Sequence, residues 1–195
     1  MTDRDRWNEK YSKRNLDSYK AGPSDWLFQH EKYILQIEKG LALDIASGFG
    51  RNSFYLEKLG FLVDAVDVSD LAIDWLNEEA RKNTLNLKGY QIDLAAQPFP
   101  QSSYQIIICF NFLFRQLFPQ IIEALNPGGI LFYETVYSDD LNILGSKMNP
   151  DYVLQKNELL EAFVDLDIIT YQEKIVEMKS GRKKALASLL AQKPA

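Results

Sequence analysis

Three aspartates and two glycines carry the chemistry open to this sequence. Asp44 lies in the apolar run Leu41-Ala42-Leu43-Asp44-Ile45-Ala46, and the small-residue loop Ser47-Gly48-Phe49-Gly50 follows it. Asp67 stands near the end of FLVDAVDV, Phe61 to Val68, about one βαβ step later, and Asp93 stands in GYQIDLAA. A carboxylate accepts from two hydroxyls at once, so an acid roughly 20 residues beyond a glycine loop suits the diol of a ribose. Gly48 and Gly50 let the backbone turn tightly and approach a ligand that a side chain would obstruct. The spacing is not G-x-G-x-x-G, because Ser53 takes the third glycine position and no glycine leads off the strand before Gly48.

Strands and helices must bring these residues together. Leu41 to Ala46 reads as a buried strand, and Arg51 to Lys58, with Phe54, Tyr55 and Leu59 at helical spacing, reads as a helix stopped at Gly60. Phe61 to Val68 is a second strand, Leu71 to Asn83 a helix, and a third strand ends at Asp93. Tyr104 to Phe114 is continuous and apolar, a central strand. Gln116 to Leu125 reads as a helix, Asn126-Pro127-Gly128-Gly129 as its stop, and Ile130 to Val136 as the fifth strand. Ser138 to Gln155 reads as a long loop, and Asn157 to Phe163 as a short helix. Asp167 to Met178 and Ala185 to Gln192, joined by Ser180-Gly181-Arg182, read as a hairpin. At the N-terminus, Asp3 to Tyr11 reads as a short amphipathic helix, and Trp26 to Glu38 as another that starts at Ser24-Asp25.

Asp44-x-Ala46-x-Gly48-x-Gly50 resembles motif I of the class I S-adenosylmethionine-dependent methyltransferases, and LNPGGILFYET resembles their pre-strand L-x-P-G-G segment. WNEKYSKR and Gly48-Phe49-Gly50-Arg51-Asn52 resemble, more narrowly, the small tellurite-resistance and thiopurine-type members. The resemblance implies a Rossmann-like α/β fold: a seven-stranded, mostly parallel sheet with a C-terminal antiparallel hairpin, in three α/β/α layers. It implies S-adenosyl-L-methionine as cofactor, with Asp44, Ala46, Gly48, Gly50, Arg51, Asn52, Asp67, Val68, Asp93, Leu94 and Phe110 around it. In this scheme Asp44 serves the ammonium region, Asp67 the ribose, and Asp93 with the Leu94 amide the adenine. Residues 1–38 form a helical arm that closes over the cofactor, and 39–195 form the methyltransferase domain.

The resemblance also implies substrate-facing residues just beyond the fourth strand, which makes Asn111 and Arg115 candidates beside Tyr11 of the arm. Relatives with a similar segment carry His where Phe114 stands. Phe110-Asn111-Phe112-Leu113-Phe114-Arg115 has neither the N/D-P-P-Y/F signature of adenine methylation nor a Pro-Cys nucleophile. His30, the one histidine, falls inside a helix and at no strand end, so packing or solvent is its expected place. An acceptor already ionised or soft, a thiol or a chalcogen oxyanion, then needs least help, with Tyr133, Glu134 and Tyr11 as the remaining bases. A cation at the first turn of a helix is unfavourable, so Arg51 calls for an anionic partner.

A net charge of −5 and a pI near 5.0 argue against a broad phosphate-binding surface, hence against nucleic acid. With one cysteine, Cys109, no internal disulfide forms, which suits a reducing cytoplasm. The charged opening MTDRDRWNEKY lacks the apolar core of a signal peptide, and no stretch reaches the roughly 18 apolar residues of a membrane span. No Cys/His cluster suggests a metal, and nothing specifies an oligomeric state. Two other readings remain: a catalytically silent adenosylmethionine-binding or regulatory protein, and an NAD-dependent oxidoreductase, which Ser53 and the final hairpin disfavour.

Overall fold

The structure, a computed structural model, describes residues 1–14, 22–138, 149–177, 181 and 183–195. Most of the loop expected after Ser138, and Met178, Ser180 and Arg182 of the expected hairpin, lie outside the described residues. One sheet holds seven strands: β1 (Leu41–Ile45), β2 (Leu62–Asp67), β3 (Leu87–Gln91), β4 (Tyr104–Phe110), β5 (Leu125–Val136), β6 (Asp167–Glu177) and β7 (Lys183–Gln192). Their order is β3-β2-β1-β4-β5-β7-β6, with β1 to β5 parallel and β7 antiparallel to both neighbours. The order reverses between β1 and β4, where an open α/β sheet presents its ligand crevice.

Two apolar layers hold the sheet. On one face Leu43, Ile107, Leu131 and Leu189 pack with Phe118 and Ile121 of α6 (Phe118–Ala124) and Leu159 of α7 (Glu158–Ala162). On the other, Ala42, Ile106, Ile108, Phe132 and Leu190 pack under α2 (Asp25–Gln29), α3 (Glu31–Gln36), α4 (Arg51–Lys58) and α5 (Asp70–Lys82). Alternate strand residues are apolar on both sides because both sides are covered, and each fully buried Leu or Ile stabilises the fold by about 1.5–3 kcal/mol. Helix α5 begins where the Ser69 hydroxyl accepts from the Ala72 amide at 3.1 Å, and ends on Arg81 and Lys82, which favour a helix C-terminus. Helix α1 (Asp3–Ser12) starts on a capping box between Thr2 and Asp5.

Several elements differ from the sequence expectation. The predicted helix from Trp26 to Glu38 is two helices, divided at His30, whose φ of −111° and ψ of 17° leave the helical region. There the imidazole Nδ1 lies 2.9 Å from the Trp26 carbonyl oxygen and the ring packs 4.0 Å from that of Trp26. Strand β4 stops at Phe110 rather than Phe114, because Asn111 takes a left-handed φ of 58°. Arg115 to Leu117 form a 3-10 turn before α6. Asn126 to Gly129 are the opening of β5 rather than a turn before it, and a register shift between Tyr104 and Ile106 absorbs them. Strand β3 ends at Gln91, so Asp93 stands in the turn beyond it.

Candidate cofactor site

The loop after β1 is built on left-handed backbone. Ala46, Gly48 and Gly50 have φ of 55°, 55° and 76°. A Cβ on Gly48 would stand 2.8 Å from the Tyr11 hydroxyl oxygen, and one on Gly50 would clash with Leu76 Cδ1. Glycine is required at both places for space as well as conformation. Gly50 is the N-cap of α4.

Asp44 and Asp67 lie beneath and beside this loop. Asp44 is 2% exposed and accepts from the Ser53 hydroxyl at 2.6 Å. Burial pushes its carboxyl up to about 7, with the Ser53 hydrogen bond opposing and Asp67 adding to the rise. Asp67 is 5% exposed; its Oδ2 accepts from the Gly48 amide at 2.8 Å and its Oδ1 from the Ser69 amide at 2.9 Å. Burial raises its pKa too, against the pull of those amides. Val68 follows, half-buried, its carbonyl accepting from Gln91 Nε2.

Helix α1 lies on this loop. The Tyr11 hydroxyl donates to Asp67 Oδ2 at 3.4 Å, and its ring meets that of Phe49 at 5.1 Å. Arg4 and Asn8 both bond Asp70, and the Ser69 hydroxyl donates to Asn8 Oδ1 at 2.6 Å, which ties α1 to the start of α5. Burial and the Asp67 charge hold the Tyr11 phenol far above its ordinary range, so Tyr11 is a hydrogen-bond donor here and not a base.

The other predicted residues divide in two. Asp93 is near Asp67, since the Ile92 amide donates to the Asp67 carbonyl at 2.9 Å, and its own Oδ1 accepts from the Ala95 amide. Leu94 is buried beside it. Phe110 and Asn111 stand across the crevice at the end of β4, Phe110 buried and Asn111 exposed. Arg51 and Asn52 turn toward the N-terminal segment: Arg51 Nη2 donates to the Ser24 hydroxyl and Asn52 Oδ1 accepts from the Ser24 amide, each at 2.8 Å. The hydrogen-bond partner of Arg51 is thus a neutral hydroxyl, while its charge acts on the carboxyls of Asp44 and Glu134 and lowers the pKa of each.

Arg115 points elsewhere. Its guanidinium pairs with Glu158 at 2.5 and 2.9 Å and donates to the carbonyls of Pro150, Asp151 and Val153. It gathers the segment after β5 onto α7. Tyr133 is 1% exposed and donates to the Phe112 carbonyl at 3.0 Å, with its phenol pushed well above the ordinary range, which removes it as a base. Glu134 remains, half-buried and bonded to Ser188.

Ser53, Ser188 and Glu158 were not singled out from the sequence as partners of Asp44, Glu134 and Arg115. Only Ser53 had a signal, as the residue in place of a third glycine. One further observation bears on a ligand: Ser47 Oγ, inside the loop, is buried with no hydrogen-bond partner. Among the described residues no His/Cys/Asp/Glu group could hold a metal ion, and no helix is long and apolar enough to cross a membrane.

The family of the tellurite resistance protein TehB matches residues 28–185. The probable S-adenosyl-L-methionine-dependent methyltransferase TehB of Haemophilus influenzae is 32% identical over 165 residues, covering 77% of this chain and 56% of the relative. The chain therefore spans about half the length of the curated relatives it matches. The crystal structure of TehB from Haemophilus influenzae superposes with a TM-score of 0.74 at 26% identity, over 97% of this chain and 66% of that one. Coclaurine N-methyltransferase bound to N-methylheliamine and SAH shares the fold at a TM-score of 0.64 and 14% identity, over 86% and 72% of the two chains. With its Asp44-to-Gly50 loop, its Asp67 and its antiparallel terminal hairpin, this chain belongs to the TehB family and has the fold of the class I S-adenosylmethionine-dependent methyltransferases.

Proposed function

We propose that this protein transfers the methyl group of S-adenosylmethionine to a small-molecule acceptor, a thiol or a chalcogen oxyanion. The observation that carries the reading is the bonded unit of Gly48 and Asp67 at the carboxyl end of the sheet, in a chain of the TehB family. Asp67 has the acceptor capacity for a ribose diol, and the glycine backbone has the clearance for a ligand laid along it. Asp44, through its solvent-shielded carboxylate, favours a nearby ammonium, and the unsatisfied Ser47 hydroxyl lies in the same loop. Asp93 and Leu94 are the residues for the adenine. The cofactor supplies an electrophilic methyl group, and the chain supplies alignment and exclusion of water.

The arm of residues 1–38 closes this site in our reading. Support comes from Tyr11 seated on Gly48 and Asp67, and from Arg51 and Asn52 holding Ser24. The setting we assign is the cytoplasm, in keeping with the single buried thiol of Cys109.

The test is isothermal titration with S-adenosylmethionine, S-adenosylhomocysteine and NAD in turn. Micromolar binding of the first two and none of NAD is expected. Binding of NAD alone would return the chain to the oxidoreductases, and binding without turnover on any acceptor would make it a regulatory adenosylmethionine-binding protein.

A further inference from the structure

Helix α1 has two polar sides with different partners. Arg4, Asn8 and Tyr11 turn toward Asp70 and Asp67, on the cofactor side. Arg6 and Lys10, one helical turn apart, and Arg14, just past the helix end, form a separate basic row. The Arg6 guanidinium lies 5.8 Å from the ring centroid of Tyr152, so this row looks toward the chain that follows β5. A fourth cation joins it from the sheet. The Tyr137 amide donates to the Ala185 carbonyl at 3.1 Å, which sets Lys184 at the carboxyl end of β5, where an open α/β sheet binds its ligand. Burial lowers the Lys10 pKa, and the charges of Arg14, Lys184 and Arg6 lower it further, so the four cations share one field.

Among the described residues, one carboxylate pairs with this group: Asp3, 3.1 Å from Arg6. Deeper in, Lys174 of β6 and Arg51 of α4 act on Glu134, with Asp25 of α2 as the second acid there. In a chain of net charge −5, this mouth is therefore a region of positive charge. Aromatic rings hold the row in place. Lys10 Nζ lies 3.9 Å from the ring centroid of Trp7 and the Arg14 guanidinium 5.2 Å from that of Tyr11, as Arg6 lies over Tyr152. The ring quadrupoles attract these cations and limit their rotamers, so less conformational freedom is lost when an anion binds between them.

We propose that Arg6, Lys10, Arg14 and Lys184 form a cationic rim that selects methyl acceptors by negative charge, whichever acceptor atom receives the methyl group. The inference rests on the methyl-transfer reading above, and it assigns this selectivity to α1 and β7 rather than to the residues that end β4 and β5. A small anion is drawn to the rim from solution and enters the crevice between α1 and the segment of Tyr152. A neutral acceptor of the same size feels no such attraction. The rim cations are partly solvated, so added salt weakens the attraction, with a screening length of about 8 Å at physiological ionic strength.

The test titrates protein saturated with S-adenosylhomocysteine, which permits acceptor binding without turnover, and follows amide NMR shifts. The probes are 2-mercaptoethanesulfonate, its neutral analogue 2-mercaptoethanol, and selenite. In wild type the two anions shift the amides of Lys10 and Lys184 and bind about tenfold more tightly than 2-mercaptoethanol, a margin that shrinks between about 20 and about 300 mM NaCl. Lys10→Gln combined with Lys184→Gln weakens both anions roughly tenfold and leaves 2-mercaptoethanol within about twofold. Lys58→Gln combined with Lys82→Gln removes the same charge from the last turns of α4 and α5, and leaves every probe within about twofold. Equal affinity for the sulfonate and 2-mercaptoethanol, or undiminished anion binding in the Lys10 and Lys184 variant, overturns the proposal. The same loss in the Lys58 and Lys82 variant also overturns it, by making net charge the cause. Cofactor affinity separates the two claims. Equal S-adenosylhomocysteine binding by wild type and both variants confines any such failure to the rim, and weaker binding by the Lys10 and Lys184 variant assigns the rim to the cofactor and overturns the proposal. No binding by wild type overturns the methyl-transfer reading and this proposal with it.

Discussion

The Gly48 amide donates to Asp67 Oδ2 at 2.8 Å, so the loop leaving β1 and the acid ending β2 form one bonded unit. In Asp67→Ala the loop loses this tether and a ribose loses its acceptor. S-adenosylmethionine affinity should fall roughly 100-fold, from lost charge-assisted hydrogen bonds worth about 3 kcal/mol. Unchanged affinity in the titration would sink the assignment of this site.

Asp44 couples stability to pH. Its folded pKa of about 7 lies above the ordinary value of 3.8, so the native state holds the proton more tightly than the unfolded chain. That contribution is full below about pH 4 and is lost as pH rises through about 7. Asp44→Asn should remove the dependence and, at pH 8, melt a few degrees above wild type, while binding S-adenosylmethionine more weakly. Thermal unfolding of both proteins between pH 4 and pH 8 checks this; parallel curves would show that Asp44 does not titrate in that range.

Gly50 is left-handed and faces Leu76, so Gly50→Ala meets both backbone strain and a steric clash. A cost of about 2–3 kcal/mol is expected, a fall in Tm of roughly 5–10 °C. Gly60→Ala is the control, because its φ of 94° carries the strain while no atom lies within 4 Å of the added carbon. Equal losses in the two would assign the whole cost to backbone conformation.

Arg115 holds the segment from Pro150 to Val153 together with Glu158. Arg115 is 38% exposed and Glu158 16%, so solvent screens the pair, and Arg115→Ala should cost about 1–2 kcal/mol. Limited proteolysis should cut sooner between residues 149 and 158, with S-adenosylmethionine affinity within about twofold of wild type. A fall in kcat with unchanged proteolysis would instead place Arg115 against the acceptor.

Strands β1, β2 and β4 were legible because a doubly covered strand is a nearly continuous apolar run, and the terminal hairpin because two stretches rich in β-branched and apolar residues stand on either side of a Ser-Gly pair in the sequence. The site loop was legible for a related reason: backbone that must turn left-handed or approach another group needs glycine, and Gly48 and Gly50 announce it. The break at His30 was not legible, since it depends on a ring packing back on Trp26. Nor was the end of β4, because Asn111 adopts a conformation that its neighbours Phe110 and Phe112 do not signal.

The sequence by itself determined the order of strands and helices, the glycine loop and the acids that follow it, because local patterning and backbone conformation are properties of adjacent residues. Only the tertiary structure decided which side chains are partners. Tyr11 meets Asp67, Arg51 meets Ser24, Arg115 meets Glu158 and Ser188 meets Glu134 through contacts between elements far apart in the chain. Sheet register and helix docking create those pairs, and a one-residue shift of register would turn Glu134 to the other face of the sheet.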